Sequence, residues 1–336
     1  MVIYEGATRG ANRLGAEPAA PWEGAVVGIT EKLQDTTVDA VIAGHTHRAA
    51  NTSVGRIPVV EGFNAGVSYS VLQLMVKNGE VAWIGAANRT AKNLGVEQRP
   101  DVKAIVDAAT AEVQDDIRVV IGSQAKTDAN PSGDILRAPG RDRESAMGNM
   151  VADAMRLAYV DDGAEAAITN SGGLRADLPF AGSANGGADG QITWGEMFAV
   201  LPFGNATVVE TLTGAQLVQA FTNGFSAVCN TQISTGRFPA VSGLVVRYHC
   251  NGTQAVVDSI AKAPNGPSGP LTPVGPADTV RFVTNDFMYN GGDGYTVFGQ
   301  GTDVLQTGDL LLDVAINYVT ANSPVAPVVE NRIVTG

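Results

Sequence analysis

Short apolar runs of strand type alternate with helix starts that carry their own caps, and this alternation restricts the chain to a mixed α and β architecture. The strand candidates in the second half are residues 166–169, 207–210, 244–248 and 280–284. Between them, Thr193-Trp194-Gly195-Glu196 and Thr213-Gly214-Ala215-Gln216 have the capping-box form. In that form the Thr hydroxyl accepts from the N–H three residues on, and the Glu or Gln reaches back. Ser145 precedes an apolar stripe at Met147, Met150, Val151, Ala154 and Met155, which is helical spacing. A further helix is expected to start at Thr307, run through Leu311, Ala315 and Val319, and end before Pro324.

The first hundred residues read as strands and loops. Strands are expected at 38–43 and 57–60, and 70–76 and 81–84 form a hairpin about Asn78-Gly79. After Pro100, Val102, Ile105, Val106, Ala109 and Val113 recur at helical spacing. The expected organisation is therefore a first region over 1–99, a linker helix over 100–117 and a second domain over 118–336. Charge narrows the function classes. With 22 Lys and Arg against 34 Asp and Glu the chain carries a formal charge of −12, which repels a nucleic-acid backbone. No apolar run approaches the roughly 20 residues that span a bilayer, so a soluble chain is expected. The opening Met1-Val2-Ile3-Tyr4-Glu5-Gly6 has neither the basic nor the apolar region of a secretion signal. On that reading the protein stays inside the cell, or this start is not the ancestral one. Two cysteines, Cys229 and Cys250, fit either a disulfide or two buried thiols.

Candidate chemistry is concentrated at a few places. His45 and His47, in Gly44-His45-Thr46-His47, follow an apolar strand. In extended chain both imidazoles would face one side and could share a metal, although two loop histidines bonded to carbonyls fit the same spacing. Searches for D-x-H, G-D-x-x-D and G-N-H find nothing, so the chain does not itself supply a dinuclear hydrolase site. Asn170-Ser171-Gly172-Gly173-Leu174-Arg175 follows a strand, where its glycines permit close approach and Asn170 and Arg175 can address a ligand. Phe203, in Leu201-Pro202-Phe203-Gly204, and Phe287, ahead of Asn290-Gly291-Gly292-Asp293-Gly294-Tyr295, are loop aromatics beside polar groups. Such pairs suit a flat heterocycle and a sugar diol, although either Phe could belong to the core. Arg141 and Arg143, just ahead of the Ser145 helix, suit an anionic ligand or simply a solvated charge cluster.

In this order, GHTH, R-x-R-E-x-x-M-G-N, N-S-G-G-L-R, L-P-F-G and F-x-x-N-G-G-D-G-Y, the blocks resemble the 5'-nucleotidase family. The resemblance implies a fold of the α+β class. Its C-terminal 5'-nucleotidase-like α/β domain would be nearly complete and joined by the linker helix to a truncated metallophosphoesterase-type β-sandwich remnant. It further implies that Phe203 and Phe287 sandwich a purine, Asp293 holds the ribose hydroxyls, Asn170 contacts the base, and Arg141 and Arg175 steer the phosphate. The family uses a pair of divalent ions (Zn, Mn or Mg), of whose ligands only His45 and His47 match, Tyr4 standing where a further histidine is expected. Two imidazoles hold at most a single, weakly bound ion. The family is usually secreted, periplasmic or at the cell surface. Three functions remain open: a truncated chain that binds nucleosides or nucleotides, an active 5'-nucleotidase completed by a separate N-terminal fragment or a longer start, and a structural module with idle sites. An uncovered sandwich edge would favour a homodimer or a complementing fragment.

Overall fold

The computed structural model describes residues 24–64, 66–91, 96–182, 187–230 and 235–336, so the reading of Tyr4 and of the first six residues lies outside the described residues. The chain divides into two compact units, Met1–Lys103 and Ala104–Gly336.

In the first unit, helix α1 (Ala25–Lys32) precedes strands β1 (Val41–Ile42), β2 (Ala49–Val54) and β3 (Ile57–Gly62), which form a sheet in the order β1-β3-β2. Val26, Val41, Ala43, Ile57 and Val59 make its small core. The strand expected over 38–43 is shorter than its apolar run: only Val41 and Ile42 pair, in parallel with Val59 and Val60. The expected hairpin is present as β4 (Ser68–Lys77) and β5 (Glu80–Thr90). Both turn residues are left-handed, Asn78 at φ 54° and Gly79 at φ 86°, which is the twist that suits a two-residue hairpin loop.

Helix α2 (Pro100–Ile117) forms where the spacing predicts it, yet none of its 18 residues is buried. Within the second unit follow β6 (Val120–Ser123), α3 (Ala146–Ala158), β7 (Ala166–Asn170), β8 (Gln191–Thr193), α4 (Trp194–Val200), β9 (Ala206–Thr213), α5 (Gly214–Cys229) and β10 (Pro239–Ser242). The chain continues through β11 (Leu244–Asn251), β12 (Gln254–Lys262), β13 (Thr272–Pro273), β14 (Thr279–Asn285), α6 (Asp286–Tyr289), β15 (Thr302–Leu310), α7 (Leu311–Asn322) and β16 (Ile333–Thr335). The expected mixed α and β class is what is observed.

A five-stranded sheet in the order β10-β7-β14-β9-β15 organises this unit. Alternation along its strands feeds two cores. Ala167, Val209 and Val283 point to one side, against Met147, Met150 and Met155 of α3, Met197 of α4 and Leu311 and Ala315 of α7. Ala166, Ile168, Leu212, Val280 and Phe282 point to the other, against Leu217, Phe221 and Phe225 of α5 and Leu244, Val246 and Tyr248 of β11. The helix starts follow the sequence: Ser145 caps α3 by accepting from the Gly148 N–H, and Thr193 and Thr213 both close complete capping boxes.

Thr307 does not begin a helix. It lies inside β15, its hydroxyl donating to the Thr207 carbonyl at 2.9 Å, and the helix begins only at Leu311. A cross-strand bond has taken the hydroxyl that would have capped. Cys229 and Cys250 form a disulfide that ties the end of α5 to β11.

Candidate functional site

Strand pairing brings the distant motifs to one end of the five-stranded sheet. β7 and β14 run parallel, so the turn Ser171–Gly173 after β7 and the segment α6 with the turn Gly292–Gly294 after β14 leave the same edge. β10 is antiparallel to β7, with Pro239 opposite Asn170, so the turn Thr235–Arg237 before β10 arrives there too. β9 is antiparallel to β14, with Thr207 opposite Asn285, which adds the 201–205 loop carrying Phe203. Thr169, Gly173, Leu201, Phe203, Asn205 and Asn285 line a cleft at this edge. The carboxyl ends of sheet strands are a common position for ligand sites.

Neither aromatic belongs to the core. Phe203 is 58% and Phe287 44% exposed, which for a Phe costs apolar hydration that a ligand could relieve. The two loops are tied by Asn205, whose Nδ2 donates to the Asp286 carboxylate at 2.8 Å, one residue before Phe287. Gly292 lets its turn pass against Phe287, since a Cβ there would fall 2.6 Å from ring carbons. The Arg175 guanidinium lies over the Phe203 ring at 5.5 Å, a cation–π arrangement, and its Nη1 donates to the Gly172 carbonyl at 3.2 Å.

Asp293 is half-buried beside these groups, and one carboxylate oxygen accepts from Asn170 Nδ2 at 2.7 Å. Asn170 is only 4% exposed, and Asn285 Nδ2 lies 3.4 Å from its Oδ1 and donates to Thr169 at 3.1 Å. Burial holds the Arg141 guanidinium below its ordinary value, the charges of Arg175 and Arg137 add to the depression, and Asp293 opposes it. Arg141, Arg175, Arg137 and Asp293 therefore share one electrostatic neighbourhood, in which an anion would relieve the crowding of positive charge. Arg137 is itself paired with Asp177 at 3.0 Å. Arg143, by contrast, is exposed and pairs with its neighbour Asp142 at 2.9 Å.

Other motif residues serve the fold. Glu144 accepts from Asn149 Nδ2 and from the Glu330 N–H, each at 2.7 Å, and clasps the C-terminal segment to the start of α3. Sequence reasoning missed Asn205, Asn223, Arg237 and Asn285. Asn285 alone had a local signal, since it caps α6 by accepting from the Met288 N–H.

The histidine pair is not presented by extended chain. His45 and His47 have φ values of 75° and 55°, so strand alternation does not align their imidazoles. His47 Nδ1 lies 3.2 Å from Asn64 Nδ2. Among the described residues no group of three or more His, Cys, Asp or Glu comes together. The described residues therefore do not fit the paired-ion centre implied by the motif resemblance.

Comparison with known proteins bears on the fold and the family. The sequence model of the 5'-nucleotidase C-terminal domain matches residues 120–300. A cell wall protein of Listeria monocytogenes, Lmo0130, is 30% identical over 293 residues, covering 85% of this chain and 35% of that protein. The trifunctional nucleotide phosphoesterase protein YfkN of Bacillus subtilis is 30% identical over 312 residues, 88% of this chain and 20% of its own length. The crystal structure of a 5'-nucleotidase precursor from Thermus thermophilus superposes with a TM-score of 0.67 at 26% identity, over 92% of this chain and 62% of that one. The chain thus spans about a third and a fifth of the two curated relatives. With more than half of its residues inside the matched domain and the same fold in a solved member, the chain belongs to the 5'-nucleotidase family.

Proposed function

We propose that the second unit binds nucleosides and nucleotides, with Phe203 and Phe287 stacking on the base and Asp293 accepting from ribose hydroxyls. Asn170 borders the base and steadies Asp293, while Arg141 and Arg175 take the phosphate. The observation that carries this reading is the tether between the two exposed phenylalanines, Asn205 to Asp286 at 2.8 Å, with the Asn170-bound carboxylate of Asp293 beside them. Exposed rings held in place lose little freedom on binding a flat heterocycle. Stacking is indifferent to base identity, so purines and pyrimidines are both candidates.

For the whole protein, of which this chain spans a part, the proposed reaction is hydrolysis of nucleoside 5'-phosphates to nucleoside and phosphate. Family membership supports it, and the divalent ions it needs would require donors beyond His45 and His47. A location outside the cytoplasm is supported by the Cys229–Cys250 disulfide and by a cell-wall protein among the relatives. No helix of the described residues is long and apolar enough to cross a membrane.

The test is a calorimetric titration of adenosine and AMP into the purified chain. Phe203→Ala with Phe287→Ala should weaken both ligands by about tenfold or more, a stacked base carrying roughly 1–3 kcal/mol per ring. Unchanged affinity in the double variant refutes the stacking role.

A further inference from the structure

We propose that Asn223 and Arg237 form a relay that fixes the reach of the Asp293 carboxylate, and that this relay sets how strongly the site distinguishes nucleosides by their ribose hydroxyls. The inference rests on the nucleoside-binding reading above and adds to it two positioning residues from α5 and from the turn before β10.

Asp293 sits at φ 53°, ψ 20°, a left-handed conformation that L side chains seldom adopt, flanked by Gly291 at φ 88° and Gly294 at φ 80°. A turn of this kind persists only where its surroundings over-determine it. Two grips do so here. Asn170 holds Asp293 Oδ2 from the side of β7 at 2.7 Å. From the other side, Asn223 Nδ2 donates to the Asp293 backbone carbonyl at 3.0 Å.

Arg237 decides which way the Asn223 amide faces. Its Nη1 donates to Asn223 Oδ1 at 3.0 Å, so the amide nitrogen must point to Asp293. Arg237 is anchored in turn, because the buried Tyr295 donates its hydroxyl to the Arg237 carbonyl at 2.7 Å. The Arg237 Nε is buried without a hydrogen-bond partner, a cost that is tolerated where a group is held for another purpose. Gly294 completes the fit: a Cβ there would fall 2.8 Å from Asn223 Oδ1. With Oδ2 taken by Asn170, Oδ1 accepts no hydrogen bond from the described residues and is the atom available to a hydroxyl.

The consequence is selective. Loss of the Asn223 amide would let the Gly291–Gly294 turn relax and withdraw the carboxylate, while Phe203 and Phe287 stay tied by Asn205. Stacking survives, and hydroxyl recognition fails.

The test compares adenosine with 2',3'-dideoxyadenosine by calorimetry on the full chain, in wild type, Asn223→Ala, Arg237→Met, Asp293→Ala and the Asn223→Ala/Asp293→Ala pair. Wild type should prefer adenosine by about tenfold or more, the scale of hydrogen bonds to a charged group. Asn223→Ala and Arg237→Met should each cut that preference by at least about threefold with dideoxyadenosine affinity unchanged, and Asn223→Ala should have no further effect once Asp293 is gone. A purely structural role would weaken both ligands alike. If Asn223→Ala fails to fold, Asn223→Asp keeps the volume, removes the donor and carries the same prediction. Full preference in the Asn223 variants beside its loss in Asp293→Ala overturns the relay and leaves the nucleoside reading standing. No binding of adenosine by the wild-type chain overturns both.

Discussion

Glu210 offers the sharpest test of the fold's energetics. It lies in the middle strand run of β9, opposite Phe282, and alternates onto the face that packs with α5. It is fully buried, and neither carboxylate oxygen has a hydrogen-bond partner. Burial pushes its carboxyl from an ordinary 4.5 up to about 8. The native state thus holds a proton that the unfolded chain has released, so stability is full below about pH 4.5, falls as pH rises, and levels off above about 8. At about 1.4 kcal/mol per pKa unit, keeping that proton at pH 7 costs about 3 kcal/mol, a large part of an ordinary domain's stability. Glu210→Gln keeps the shape and removes the ionisation. Urea unfolding followed through Trp194, at half-unit steps from pH 4.5 to 8.5, should show the two proteins alike at the acid end and the variant about 3 kcal/mol more stable at pH 7. Parallel stability curves for the two proteins across that window would refute the argument that Glu210 is buried neutral and unpaired.

Two further outcomes follow from buried or closed features. Reducing the Cys229–Cys250 bridge, which spans 21 residues, should lower stability by about 3 kcal/mol, read as a shift in the urea midpoint with and without reductant. Arg332, 8% exposed, donates to both carboxylate oxygens of Asp153 at 2.7 and 2.8 Å and to Glu330 at 2.8 Å. Asp153→Ala should therefore cost about 2 kcal/mol by removing two charge-assisted bonds from a buried cation that keeps only Glu330 and the Val241 carbonyl, whereas the exposed Arg143→Ala should cost almost nothing in the same assay.

The parts of the fold that could be read from sequence are those whose cause is local. Ser145, Thr193 and Thr213 cap helices with atoms three residues away, and the Asn78-Gly79 turn depends on its own two residues. Thr307 carries the same kind of local signal and is overruled. Its partner Thr207 lies 100 residues earlier, and the cross-strand bond exists only once β15 pairs with β9. The run 38–43 is cut to two paired residues for a related reason: apolar character says that a segment is buried, but pairing depends on the donors its neighbour offers, and β3 brings Pro58, which has no N–H, to the position before Val59.

The candidate site divides along the same line. Phe203, Asp293 and Arg175 could be picked out because each sits in or beside a glycine-containing turn that follows a readable strand or helix, and Phe287, expected on a loop, because it directly precedes such a turn, although the structure places it in α6. The bonds that hold them could not be: Asn170 is legible as a ligand-facing residue but its bond to Asp293 spans 123 residues, Asn205 and Asp286 are 81 apart, and Asn223 and Asp293 are 70 apart. An Asn in a helix such as α5 has no pattern that marks it as a brace, since its partner is a backbone carbonyl, which every residue has. Ligand-facing residues are therefore legible through the turn chemistry that exposes them. The residues that set their geometry become visible only when sheet order has brought four separate connections to one edge.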